Sequence, residues 1–201
     1  MSIGILAYGS LIEDPGTEIK PFIVKRIKDV NTPFKIEFAR TSKSRDGAPT
    51  LVHYENGSVA NGQILILKDN TSLSEAKNLL WRRETRQEGS RKVYKEVKNP
   101  SSNKVIVESK KNFSGLDMVI YTRIGSNIED VTADKLAELA IKSVKSKAGK
   151  NAKDGISYLM SVKGQGIITP LMEAYEKEIL NKMDCDTLEN ALKKILNKSV
   201  Q

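Results

Sequence analysis

Cysteine, histidine and tryptophan each occur once in this 201-residue chain, and aromatic residues make up only 5% of it. A lone cysteine excludes an intramolecular disulfide. One histidine, His53, and no paired cysteines remove the usual ligand set of a structural zinc site. Cys185 stands between Asp184 and Asp186, whose carboxylates disfavour the thiolate that a nucleophile requires. The sparse aromatics show no alternation with basic residues, so a stacking platform for nucleic acid is not expected. No apolar run is long enough to cross a bilayer. The first residues lack the basic region followed by an apolar core of a secretory signal, and a cytoplasmic location is the expectation.

What is present suffices for a core: 39% of residues are hydrophobic. Thirty-three lysines and arginines against 25 acidic residues leave a net charge of +8, spread along the sequence. That balance favours anionic contacts without singling out nucleic acid.

The first 122 residues are strand-rich. Phe34–Ala39 alternates, and Thr50–Val52 leads through Glu55-Asn56-Gly57-Ser58 to the apolar Val59–Leu67, a pattern that predicts a hairpin. Arg91–Val97, Lys104–Glu108 and Leu116–Tyr121 are further extended segments, separated by Asn, Ser, Pro and Gly clusters. One helix interrupts them: Ser72 and Glu75 have capping-box spacing, and Leu73, Ala76 and Leu80 follow on one stripe. Helices are then predicted over Ala133–Ala148, Leu171–Met183 and Leu188–Leu196, the last with Asp186 and Glu189 as a capping pair. Lys145–Lys153 reads as a solvated connection, and Gly164–Pro170 as a loop or a rigid link.

Two features carry chemistry. Gly4-Ile5-Leu6-Ala7 reads as a short strand running into Tyr8-Gly9-Ser10-Leu11, where Gly9 permits a sharp turn or a close ligand approach. Successive N–H groups in such a turn can hold a carboxylate or an oxyanion. The second feature is Glu84, which lies four residues after Leu80 and eight after Ala76. Helix periodicity therefore turns it toward the interior or a cleft. An acid/base role and a half-buried ion pair both fit that placement. Arg83 is positioned to orient a carboxylate or Glu84 itself, Arg82 to face solvent, and Trp81 to pack. Tyr94 and the donor-rich run starting at Arg40 are candidate ligand contacts.

Tyr8-Gly9-Ser10-Leu11 after a first strand resembles the γ-glutamylcyclotransferase-like superfamily. Ala48–Val52, Val59–Gly62 and the Arg83-Glu84 pair are similar to its later motifs, and together the likeness spans residues 1 to 122. The resemblance implies an α+β fold, a small mixed β-barrel with peripheral helices. Residues 1–125 would form that core, with 126–201 a helical C-terminal extension packed on it. It implies cyclisation of a γ-glutamyl amine or peptide to 5-oxoproline, with release of an amine. Glu84 would be the acid/base and Tyr8, Gly9, Ser10 and Leu11 the substrate turn, with no metal or cofactor. Thr85 stands where the superfamily commonly places a glycine, and the basic Arg86–Lys92 run leaves the departing amine open. The alternative is a non-catalytic module on the same fold that binds a small molecule, protein or nucleic acid.

Overall fold

The computed structural model describes residues 1–198. Its strands are β1 (Ile3–Ala7), β2 (Ile23–Ser42), β3 (Ala48–His53), β4 (Ser58–Leu67), β5 (Ile106–Phe113) and β6 (Leu116–Arg123). Its helices are α1 (Ser10–Glu13), α2 (Leu73–Glu84), α3 (Ala133–Val144), α4 (Lys147–Lys150), α5 (Gly155–Gly164), α6 (Met172–Met183) and α7 (Leu188–Lys198). The strands form one six-stranded sheet in the order β3-β2-β4-β1-β6-β5.

This is an α+β fold, but the sheet is open, and the closed barrel implied by the resemblance is corrected. The γ-glutamylcyclotransferase-like assignment that implied the barrel loses its structural basis with it. The edge strands explain the lack of closure. β5 carries Glu108, Lys110 and Lys111 along a largely exposed stretch, and β3 holds Pro49. Charge and proline on edge strands oppose further pairing.

Two strand expectations also change. Thr50–Val52 does not form a hairpin with Val59–Leu67: β3 pairs antiparallel with β2, from Ile36↔His53 to Ser42↔Ala48. Gly57 instead crosses close to Ile36, where a Cβ would meet the Ile36 carbonyl oxygen at 2.1 Å. Arg91–Val97 is not a strand. Side chains hold it: Asn78 Oδ1 accepts the Tyr94 N–H at 2.7 Å, and Arg82 Nη1 donates to the Lys92 carbonyl at 3.1 Å.

The chain forms two compact units: Met1–Pro33 with Ala60–Gly125, and Phe34–Val59 with the described residues from Ser126 onward. In the first unit, β1 is buried along its whole length, antiparallel to β4 and parallel to β6. Strands buried on both faces read as continuous apolar runs, as Ile3–Ala7 does. Ile5, Leu65, Leu80 and Ile120, all fully buried, anchor this core. Ser72 caps α2 by accepting the Glu75 N–H at 3.1 Å, as the capping-box spacing predicts.

The second unit is mostly helical. The ring of Phe38 packs edge-on against Tyr175, with centroids 5.3 Å apart, and against Tyr158 at 6.0 Å. α5 lies within the segment that sequence left between helices. Asp154 caps it through Ile156 and Ser157 N–H groups, both at 2.9 Å. The lysine-rich connection is tied down as well, since the Asp46 carboxylate accepts from the Ala148 N–H and the Ser146 hydroxyl, each at 2.8 Å. Thr187, rather than Asp186, caps α7 through the Asn190 N–H.

Candidate active site

The turn after β1 depends on Gly9, whose φ of 56° and ψ of −135° suit a residue without a Cβ. It redirects the chain into α1. Leu11 drops into the core at 5% exposure and fixes the turn from beneath, while Tyr8 and Ser10 stay half-buried. Ser10 reaches the helix cluster, its hydroxyl lying 3.5 Å from Arg83 Nη2.

Glu84 closes α2 on the stripe set by Ala76 and Leu80, both fully buried. Its side chain is about one-quarter exposed and pairs with Arg83, Nη1 donating to Oε1 at 2.5 Å. The Arg83 guanidinium also reaches back through Nη2, to the Asp14 carbonyl at 2.6 Å and the Ser10 hydroxyl at 3.5 Å. One planar cation thus touches the helix carboxylate and the turn 73 residues earlier. A guanidinium's fixed fork of donors suits such bridging.

Gly16 makes room for it. At φ +89°, a Cβ on Gly16 would lie 2.8 Å from Arg83 Cγ and 2.5 Å from Glu88 Oε1. Around this point two glutamates interlock the segments. Glu18 accepts from Arg82 Nε at 2.7 Å and the Gly89 N–H at 2.9 Å. Glu88 accepts from the Glu18 N–H at 3.1 Å and the Thr17 hydroxyl at 3.2 Å. Partial burial works against ionisation of Glu18. The hydrogen bonds from Arg82 and Gly89, with the Arg82 charge, outweigh it and hold this carboxyl below its usual range. Arg82 is therefore not the solvated residue that helix phase predicts: its side chain is 14% exposed.

The other candidates have separate settings. The Tyr94 hydroxyl accepts from the Val107 N–H at 3.1 Å, and its ring tilts against Trp81 with centroids 6.4 Å apart. Arg40 belongs to the second unit, where it is half-buried; burial lowers its pKa, and its carbonyl accepts from the Thr50 hydroxyl. Sequence reasoning passed over Asp14, Gly16, Glu18 and Glu88. Asp14-Pro15-Gly16 is a readable turn signature. The two glutamates carry no local signal, because their partners lie about 70 residues away in sequence.

Among the described residues, no cluster of three or more His, Cys, Asp or Glu is placed to hold a metal ion. No described helix is long and apolar enough to cross a membrane. The chain matches no protein-family model and no curated protein sequence. The cluster offers a cation for an anionic group, a hydroxyl donor and a carboxylate able to accept a proton.

Proposed function

We propose that the first unit binds a γ-glutamyl amine or peptide and that Glu84 carries the proton in its intramolecular aminolysis. The observation that carries this reading is the Arg83 guanidinium touching both Glu84 and Ser10. It links the two sequence features whose pairing suggested the chemistry. The substrate class is what the motif resemblance implies, and the side-chain cluster supports it by supplying a carboxylate, a cation and a hydroxyl.

In the reaction, the substrate's α-ammonium gives a proton to Glu84, and the freed amine attacks its own γ-carbonyl carbon. A C–N bond forms and the carbonyl oxygen becomes an oxyanion, stabilised by donors at the turn. Collapse of that intermediate breaks the original C–N bond, and Glu84 returns its proton to the departing nitrogen. The products are a five-membered lactam and a free amine; the remaining ammonium proton passes to solvent. Holding the substrate folded makes the attack intramolecular and lowers its entropic barrier. Arg83 orients the carboxylate before substrate arrives. In the same reading the protein works in the cytoplasm, on a small molecule rather than a membrane or nucleic acid.

The ion pair also favours a second reading. A carboxylate already matched by a guanidinium suits a binding site that performs no turnover. Incubation with a panel of γ-glutamyl amines and peptides, with the lactam measured, separates the two. Product formed by the wild type and lost in Glu84→Gln supports catalysis. Product unaffected by Glu84→Gln removes the role of Glu84, and saturable binding without product favours the second reading.

A further inference from the structure

A separate cavity of about 270 Å³ lies in the first unit, lined by Leu73, Ser74, Lys77, Asn78, Tyr94 and Glu96. Ser74, Lys77 and Asn78 share one face of α2, as residues three and four apart must. The opposite wall comes from the irregular 91–97 segment. Leu73 and the Tyr94 ring supply apolar surface, and Lys77 supplies a cation.

The two members of the Lys77–Glu96 pair differ sharply. Lys77 is 17% exposed and Glu96 74%. The cation is thus built into the wall, whereas its carboxylate partner projects from an exposed segment with no strand pairing. Such exposed partners contribute little and exchange readily with solvent. The volume falls just below the ~300 Å³ at which ordinary ligand pockets begin. It suits a compact ligand with one anionic end.

We infer that this cavity is a binding site for a small carboxylic acid with an apolar body, its carboxylate replacing Glu96 on Lys77 while the body lies against Leu73 and Tyr94. Glu96 then acts as a tethered competitor. Ser74 and Asn78 provide polar contacts beside the carboxylate. This site uses neither Glu84 nor Ser10 and stands independently of the function proposed above.

Trp81, the only tryptophan in the chain, tilts against Tyr94 and reports on the cavity. Titrating the full chain with hexanoate should give a saturable change in its fluorescence, and the neutral isostere hexanamide should give none. Glu96→Gln should tighten hexanoate binding about two- to five-fold, the scale of an exposed ion pair removed as a competitor. Lys77→Met should abolish the response and Lys77→Arg should retain it. Hexanamide matching hexanoate, or affinity unchanged or weakened in Glu96→Gln, would overturn the assignment. So would the absence of any saturable response in Glu96→Gln, a surface variant that tests the site whether or not Lys77→Met folds.

Discussion

Two glutamates, one in each unit, have opposite settings. Glu37 in the second unit is 1% exposed and meets three donors: the Phe38 N–H at 2.8 Å, the Thr169 hydroxyl at 2.6 Å and the Leu171 N–H at 3.0 Å. All three are neutral, and together they fix the segment between α5 and α6 against β2. Glu84 in the first unit remains one-quarter exposed, with a guanidinium that is itself shared with a turn. Glu37 is enclosed by the protein and bonded to the protein's own backbone and to Thr169, so it is out of reach of a ligand. Glu84, one-quarter exposed beside a bridging cation, is open to solvent. Burial alone therefore does not describe the difference between the two carboxylates; the way their oxygens are satisfied does.

The sharpest break in this comparison comes from replacing each carboxylate. Under the proposed chemistry, Glu84→Gln should lower turnover of a γ-glutamyl substrate about 10²- to 10⁴-fold, the usual contribution of a positioned proton carrier. Its thermal midpoint should change little, because the amide keeps the shape of the partly exposed side chain. Product assays beside a melting curve test both parts. A large loss of stability at equal activity would make Glu84 the structural residue of the two.

Glu37→Leu should do the reverse. It strands two N–H groups and a hydroxyl in the interior, and leaving even one such group unsatisfied costs about 1–3 kcal/mol. Urea unfolding should show a loss of about 3 kcal/mol, with turnover per folded molecule unchanged. A loss below the cost of a single stranded donor would show that this segment does not depend on the clamp.

The contrast between these glutamates was only half legible in sequence. Periodicity places Glu84 on the Ala76–Leu80 stripe, and Tyr8–Leu11 signals a turn through Gly9 alone, so both can be read locally. Glu37 sits in an alternating strand, where nothing nearby announces donors from Thr169 and Leu171 more than 130 residues away. Arg82 failed for the same reason: helix phase assigns it to solvent, but Glu18 folds over it. The Asn56-Gly57 signal is genuine turn chemistry, yet pairing is decided by which strand lies alongside, and β2 takes β3. α5 was legible in principle, since Asp154 precedes Ile156, Leu159 and Val162 at helical spacing, but the neighbouring lysines and glycines obscured it. The open edges depend on Pro49 and the lysines of β5, features whose meaning appears only once strand order is known.

A smaller effect tests the ionic lock of the first unit. The Glu18 carboxyl is held below its ordinary range in the folded state. Its contribution to stability is therefore complete above the unfolded glutamate pKa of about 4.3 and disappears as pH falls through the lower folded value. Melting temperatures measured from neutral pH into acid should decline over that window, and Glu18→Gln should flatten the decline while costing about 1 kcal/mol at neutral pH. An unchanged acid profile in Glu18→Gln would assign the decline to other carboxyls.

The smallest effect should be a gain, and it belongs to the second unit. Tyr175 is fully buried, and its hydroxyl has no hydrogen-bond partner among the described residues. Burial first, then the nearby Asp154 and Tyr158, push its pKa upward, so the phenol stays neutral. Its ring does the work against Phe38, and the oxygen was desolvated without return. Tyr175→Phe keeps the edge-on aromatic contact and removes the unsatisfied group, so it should be neutral or stabilise the fold by up to about 1 kcal/mol in urea unfolding. Destabilisation by more than that would mean the hydroxyl has a partner in solution, such as a buried water.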